Sequence, residues 1–239
     1  MRVVRYTTVA FLIYTLMLNQ TGSTSAEMPD CGQQAIQDRI AEVERALNHG
    51  AAAIEEEIYQ ENTINALGPC VHKAEVTKFL EALWHLDGEA LHGFNLKRAE
   101  ADNVRVSVAS ELLKAHNQHG LEVNRGEIRT FLRELMRSNS GRIKSNAVFA
   151  MAEFHDRESA EYLHSLVLTS PYRIAQAALK ALYWNCAPST DGILQDLTRS
   201  LTDERLIAVL TSYEREYGTY LREERCPALM GYPPKRFRK

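Results

Sequence analysis

Along most of this chain, apolar residues return every three or four positions, the spacing of helices with one buried face. Between residues 33 and 48, Ile36, Ile40, Val43 and Leu47 share a face, with Asp38, Glu42, Glu44 and Arg45 elsewhere. Gly50 breaks the run. Residues 51 to 67 resume it through Ala51, Ile54, Ile58 and Ile64 until Gly68-Pro69 stops it. Ala74 to Leu86 is amphipathic through Val76, Phe79, Leu80 and Leu83, while residues 88 to 102 read either as a short helix or as a joining loop. Beyond them the pattern predicts helices over Asn103 to His116, Arg125 to Arg137, Arg142 to His155, Glu158 to Leu168, Pro171 to Trp184, Gly192 to Leu201 and Asp203 to about Arg225. Ser170 and Thr202 stand where N-caps belong, with Pro171 at a first helical position. No run alternates apolar and polar as a half-buried strand does, so the sequence predicts an all-α fold.

The second half of the chain repeats. Leu132, Leu163 and Leu194 are spaced by 31, as are Leu135, Leu166 and Leu197. Arg142-Ile143, Arg173-Ile174 and Arg205-Leu206 follow at 31 and then 32, each opening a stretch of small and apolar residues. A fixed period of this length marks supersecondary units that bury their apolar faces by stacking. Val104-Arg105 precedes these three pairs at an interval of 37, and Ala109, Ala147, Ala178 and Ala208 supply small residues that let neighbouring helices approach closely. On these residues the chain resembles HEAT-type repeats over roughly residues 100 to 225. The resemblance implies a right-handed α-solenoid of helix pairs, with the N-terminal helical hairpin as its cap.

The N-terminus has a different pattern. Arg2 and Arg5 precede an apolar run from Thr7 to Leu18, followed by a small and polar stretch ending at Ala26, the three-part layout of a secretory leader. The run is shorter than the roughly 20 residues that a membrane-crossing helix needs. The expected organisation is a signal peptide at 1–26, a helical cap region at 27–99, repeats at 100–226 and an extended basic tail at 227–239. The expected location is the periplasm or the outside of the cell, with no membrane span after cleavage. Removing residues 1–26 leaves 26 basic and 31 acidic residues, a formal charge of −5, and an acidic body argues against nucleic acid as the partner.

Cys31, Cys70, Cys186 and Cys226 all follow the cleavage site, and an even count in an exported chain points to disulfides. Four cysteines permit three pairings, and four buried thiols would be the reading for a cytosolic chain. Two helices of similar length around Gly50 return Cys70 towards Cys31. Cys186 and Cys226 enclose a second hairpin, whose last helix is longer than its partner unless Gly218 interrupts it.

Candidate chemistry is sparse. Glu89-Ala-Leu-His92 and Glu161-Tyr-Leu-His164 have the Glu-x-x-His spacing that puts a carboxylate and an imidazole on one helical face, as di-metal carboxylate oxidoreductases use it. Completing such a site takes two further glutamates, for which Glu111, Glu134 and Glu153 are available. Two such tetrapeptides also arise by chance in a glutamate-rich helical chain. Histidines 116 and 119 sit at a helix end, where capping is the ordinary role. Trp84, Tyr183 and Trp184 have helical spacing, which usually means core. The expected function is therefore non-catalytic binding of another protein through the second helices of the repeats, without a cofactor. Lys144, Asn146, Gln176 and Lys180 are its candidate contacts. The tail cluster Lys235, Arg236, Arg238 and Lys239 suits an anionic surface.

Overall fold

The computed structural model describes residues 30–50, 54–86, 94, 96 and 98–222. The leader, the Cys226 pairing and the basic tail lie outside them, as do Glu89 and His92. The described residues form ten α-helices and no strand: α1 Gln33–His49, α2 Ile54–Asn65, α3 Ala74–Trp84, α4 Arg98–His119, α5 Arg125–Leu135, α6 Gly141–Ala152, α7 Arg157–Thr169, α8 Tyr172–Asn185, α9 Thr190–Ser200 and α10 Glu204–Arg222. A 3₁₀ turn, Gly68–Cys70, follows α2.

Local chemistry fixes the boundaries. Asn124, Ser140 and Asp156 each accept the backbone N–H three residues on, opening α5, α6 and α7. The Asn124 side-chain amide also donates to the Glu127 carboxylate at 3.2 Å. Two expected caps fall elsewhere. The Ser170 N–H closes α7 on the Leu166 carbonyl, so Pro171 takes the cap position of α8 and its carbonyl accepts from Ala175. At α10 the cap is Asp203 rather than Thr202. Its carboxylate accepts the Arg205 N–H and guanidinium, which lowers it to about 2. Residues 98 to 102 belong to α4, and α10 runs through Gly218 without interruption.

Each odd-numbered helix packs on the even-numbered helix that follows it, and α2, α4, α6, α8 and α10 pack one on the next. The repeated leucines explain this order. Leu132, Leu163, Leu194 and their partners Leu135, Leu166 and Leu197 are all buried on α5, α7 and α9. Ile143, Ile174 and Leu206 are buried one layer across on α6, α8 and α10. Ala109, Ala147 and Ala178 sit at helix contacts with essentially no exposure, whereas Ala208 is exposed and Leu210 occupies its buried place. The phase explains the swap: Ala147 and Ala178 lie four residues after Ile143 and Ile174, and Leu210 lies four after Leu206. Among the described residues, two that are not glycine have positive φ, His155 at 49° and Cys186 at 51°. They are also 31 apart, His155 three residues beyond the end of α6 and Cys186 directly after α8.

At the N-terminal end, Cys31 and Cys70 form a disulfide with a Cα–Cα distance of 5.5 Å, which staples α1 to the turn after α2. Among the described residues no cysteine is a free thiol, and none of their helices is long and apolar enough to cross a membrane.

Candidate binding face

The row of even-numbered helices carries a polar network that crosses three of them. Glu61 on α2 is its hub: one carboxylate oxygen accepts from the Arg142 guanidinium at 2.8 Å, the Asn146 amide at 2.9 Å and the Asn103 amide. The Asn146 amide also reaches the Asn103 side-chain carbonyl at 3.0 Å, and Glu57 takes the other end of Arg142 at 3.2 Å. The groups are mostly enclosed, so the charge-assisted bonds act at lower effective dielectric than a surface pair. Asn146, expected to contact a partner, is thus committed to holding α6 against α2 and α4.

The other expected contacts separate by geometry. Phe149 on α6 is 39 % exposed, and the Lys180 ammonium on α8 lies 5.6 Å from its ring centroid. Gln176 is half-buried and sits one helical turn before Lys180. Arg173 is exposed at the start of the same helix. Phe149 and Lys180 are 31 residues apart, as are Arg142 and Arg173, so these side chains occupy matching places on successive layers. Lys144 does not share this face. At 100° per residue it lies about 200° round α6 from Arg142, among positions that are buried further along the helix. The repeat arginines thus have different roles: Arg142 ties three helices, Arg205 pairs with Asp203 and covers Tyr172, and Arg173 has no carboxylate partner among the described residues.

The odd-numbered helices are fastened differently. Arg125, Arg129 and Arg133 form a ladder along α5, facing Asp156 and Glu158 and covering Phe154 and Tyr162. Burial works against the Asp156 charge, but bonds from Ser159 and Arg129 win and hold the carboxyl below its usual range. Arg105 lies over both Trp84 and Phe131 and donates to the Trp84 carbonyl, and its burial lowers the guanidinium from its ordinary value. Beside Trp84 runs a groove of about 400 Å³ edged by Glu81, His85, Glu122 and Glu127. The indole N–H donates to Glu127 at 3.2 Å. Tyr183 is wholly core and Trp184 is half-buried against Tyr217.

The Glu-x-x-His residues that are described have separate local partners rather than a shared interior site. Glu161 is exposed and accepts from Arg157 at 2.6 Å, while His164 faces Asp196 at 3.5 Å across to α9. Among the described residues no three His, Cys, Asp or Glu side chains converge as a metal site. Of the glutamates nominated to complete one, Glu134 is exposed and the other two are buried in a different setting. Glu111 pairs with Lys114 at 2.7 Å, and Glu153 lies 3.6 Å from the His155 imidazole. Burial raises the Glu111 carboxyl above its ordinary value against the pull of Lys114. Burial disfavours the Lys114 charge, but Glu111 and Glu153 outweigh it and raise the ammonium. His116 and His119 have local roles at the end of α4: His116 Nδ1 bonds the Leu121 carbonyl at 2.7 Å, and the His119 ring lies 5.3 Å from that of His72.

No family model, curated protein or solved structure matches the chain. The Glu61 hub escaped sequence reading because its partners lie 42, 81 and 85 residues away, and no periodic signal links such positions. Phe149 gave a fainter signal, as an aromatic one repeat before a lysine.

Proposed function

We propose that this protein is an exported, non-catalytic binding module: a right-handed α-solenoid of HEAT-like helix pairs, capped by the disulfide-tied hairpin, that engages another protein. The observation that carries this reading is Phe149. An aromatic ring 39 % exposed, with a cation against it, on a face otherwise built from small and polar side chains, is the pattern of an interface anchor. Three features support the architecture: the 31-residue phase of the buried leucines, the positive φ at both His155 and Cys186, and the unbroken succession of even-numbered helices. The leader pattern and the Cys31–Cys70 disulfide suit an oxidising compartment such as the periplasm or the exterior.

The test is site-specific photocrosslinking in the native host. A benzophenone side chain at position 149 is compared with one at Gln195, an exposed position on α9. A discrete adduct from 149 and none from 195 is the expected result. The same adducts from both positions, or none from 149, overturn the assignment of this face.

A further inference from the structure

The part of the even-numbered row that remains open has an uneven charge. Neither α6 nor α8 contains an aspartate or glutamate, although the whole chain has 31 acids and 28 lysines and arginines. Arg142 is satisfied by Glu57 and Glu61, but no carboxylate pairs with Arg173 or Lys180 among the described residues. Position by position across the layers, the open face reads Ser145 and Phe149 on α6, Gln176 and Lys180 on α8, then Ala208 and Ser212 on α10. It is therefore a shallow, small-residue surface with one aromatic projection and two unneutralised cations.

We infer that the α6–α8 face receives an acidic polypeptide segment, whose carboxylates meet Arg173 and Lys180 and whose apolar side chain packs on Phe149. The inference rests on the reading of this row as a protein-binding face and adds the chemistry of the partner. Charge complementarity selects the sign: two cations in an acid-free strip, on a molecule with an acidic body, attract carboxylates and repel a second basic surface. The extent of the strip selects the class. It is two helices wide, with Glu57 and Glu61 on one side and Glu204 and Glu216 of α10 on the other. A short segment of spaced carboxylates fits between those acids. A continuous phosphate backbone or a plane of lipid headgroups would have to lie across them. Phe149 adds a demand for apolar contact that free anions do not meet.

The experiment is a selection of random dodecapeptides displayed on phage against the immobilised protein, with its basic tail neutralised by Lys235→Ala, Arg236→Ala, Arg238→Ala and Lys239→Ala. The enriched peptides are expected to be rich in aspartate and glutamate around one aromatic or aliphatic residue. Affinity of a selected peptide, measured by fluorescence anisotropy, should fall about tenfold in Arg173→Glu with Lys180→Glu, and about tenfold in Phe149→Ser. It should also weaken as salt rises. Phe149 and Arg173 are exposed and Lys180 is half-buried, and circular dichroism verifies that each variant keeps its fold. Enrichment of basic or neutral peptides, or binding that survives the charge reversal, overturns the inference. So does retention of a single-stranded oligonucleotide, or of phosphatidylcholine vesicles with one third phosphatidylglycerol, that the same reversal abolishes. A crosslinked partner at position 149 without acidic enrichment sinks this inference alone, whereas loss of the adduct as well removes the binding face itself.

Discussion

Removing the Cys31–Cys70 disulfide should loosen one end of this molecule before the rest. The bond joins residues 39 apart, so it closes a loop that contains the whole of α1 and α2. Closing a loop of about 40 residues removes unfolded-state entropy equivalent to about 4 kcal/mol at 25 °C. For a chain of this size, each kcal/mol corresponds to roughly 2–4 °C, so the melting temperature should fall by roughly 8–16 °C. The loss should also be localised. Helix α1 packs chiefly on α2 and α3, whereas α8 is held by α6, α7 and α10 and has five residues from Ala178 to Tyr183 at 0 % exposure. The perturbation is Cys31→Ser with Cys70→Ala, because reductant would also reach the sulfur of Cys186. Urea unfolding followed by circular dichroism gives the free-energy change, and native-state hydrogen exchange compares Ile36 to Leu47 with Ala175 to Tyr183. Amides in α1 should lose protection while those in α8 keep theirs. A loss below about 1 kcal/mol, or equal loss of protection in both segments, refutes the reasoning that this bond ties down a weakly held cap.

The Glu61 hub should couple strongly to Arg142. A double-mutant cycle of Glu61→Ala and Arg142→Ala, measured by denaturant unfolding, should give an interaction energy of about 1–3 kcal/mol, and a value near zero would reduce the network to a surface ion pair. Gly68→Ala should destabilise by roughly 1–3 kcal/mol, because the added Cβ collides with the buried Glu111 carboxylate; unchanged unfolding would show that this carboxylate moves freely. Glu111 also sets a pH dependence. Its carboxyl is raised in the folded state, so its contribution to stability is full below the ordinary value of 4.5 and is lost as pH rises through the raised value. In Glu111→Gln the melting temperature should therefore decline less steeply above pH 4.5 than in the wild type, and parallel curves would contradict the raised carboxyl.

Which residues form helices was legible in the chain because that information is local and periodic. Ile36, Val43 and Leu47 on α1, and the leucine series at 132, 163 and 194, declared their burial through spacing alone. The Cys31–Cys70 bond followed from two helices of similar length folded about Gly50. The cap positions were legible only to within a residue, because Ser170 and Pro171 both suit a helix start and the closing bond to Leu166 decides between them. The sequence also put Arg173, Gln176 and Lys180 on one helix, where spacing alone makes them neighbours. What only the tertiary structure decided is which polar side chains remain available. Asn146 and Gln176 read alike in the sequence, yet Glu61 and Asn103 claim the first from other helices and leave the second beside the open face. Hydrogen-bond partners dozens of residues apart are set by how helices stack, so a one-dimensional period determines the rows and the packed molecule determines their chemistry.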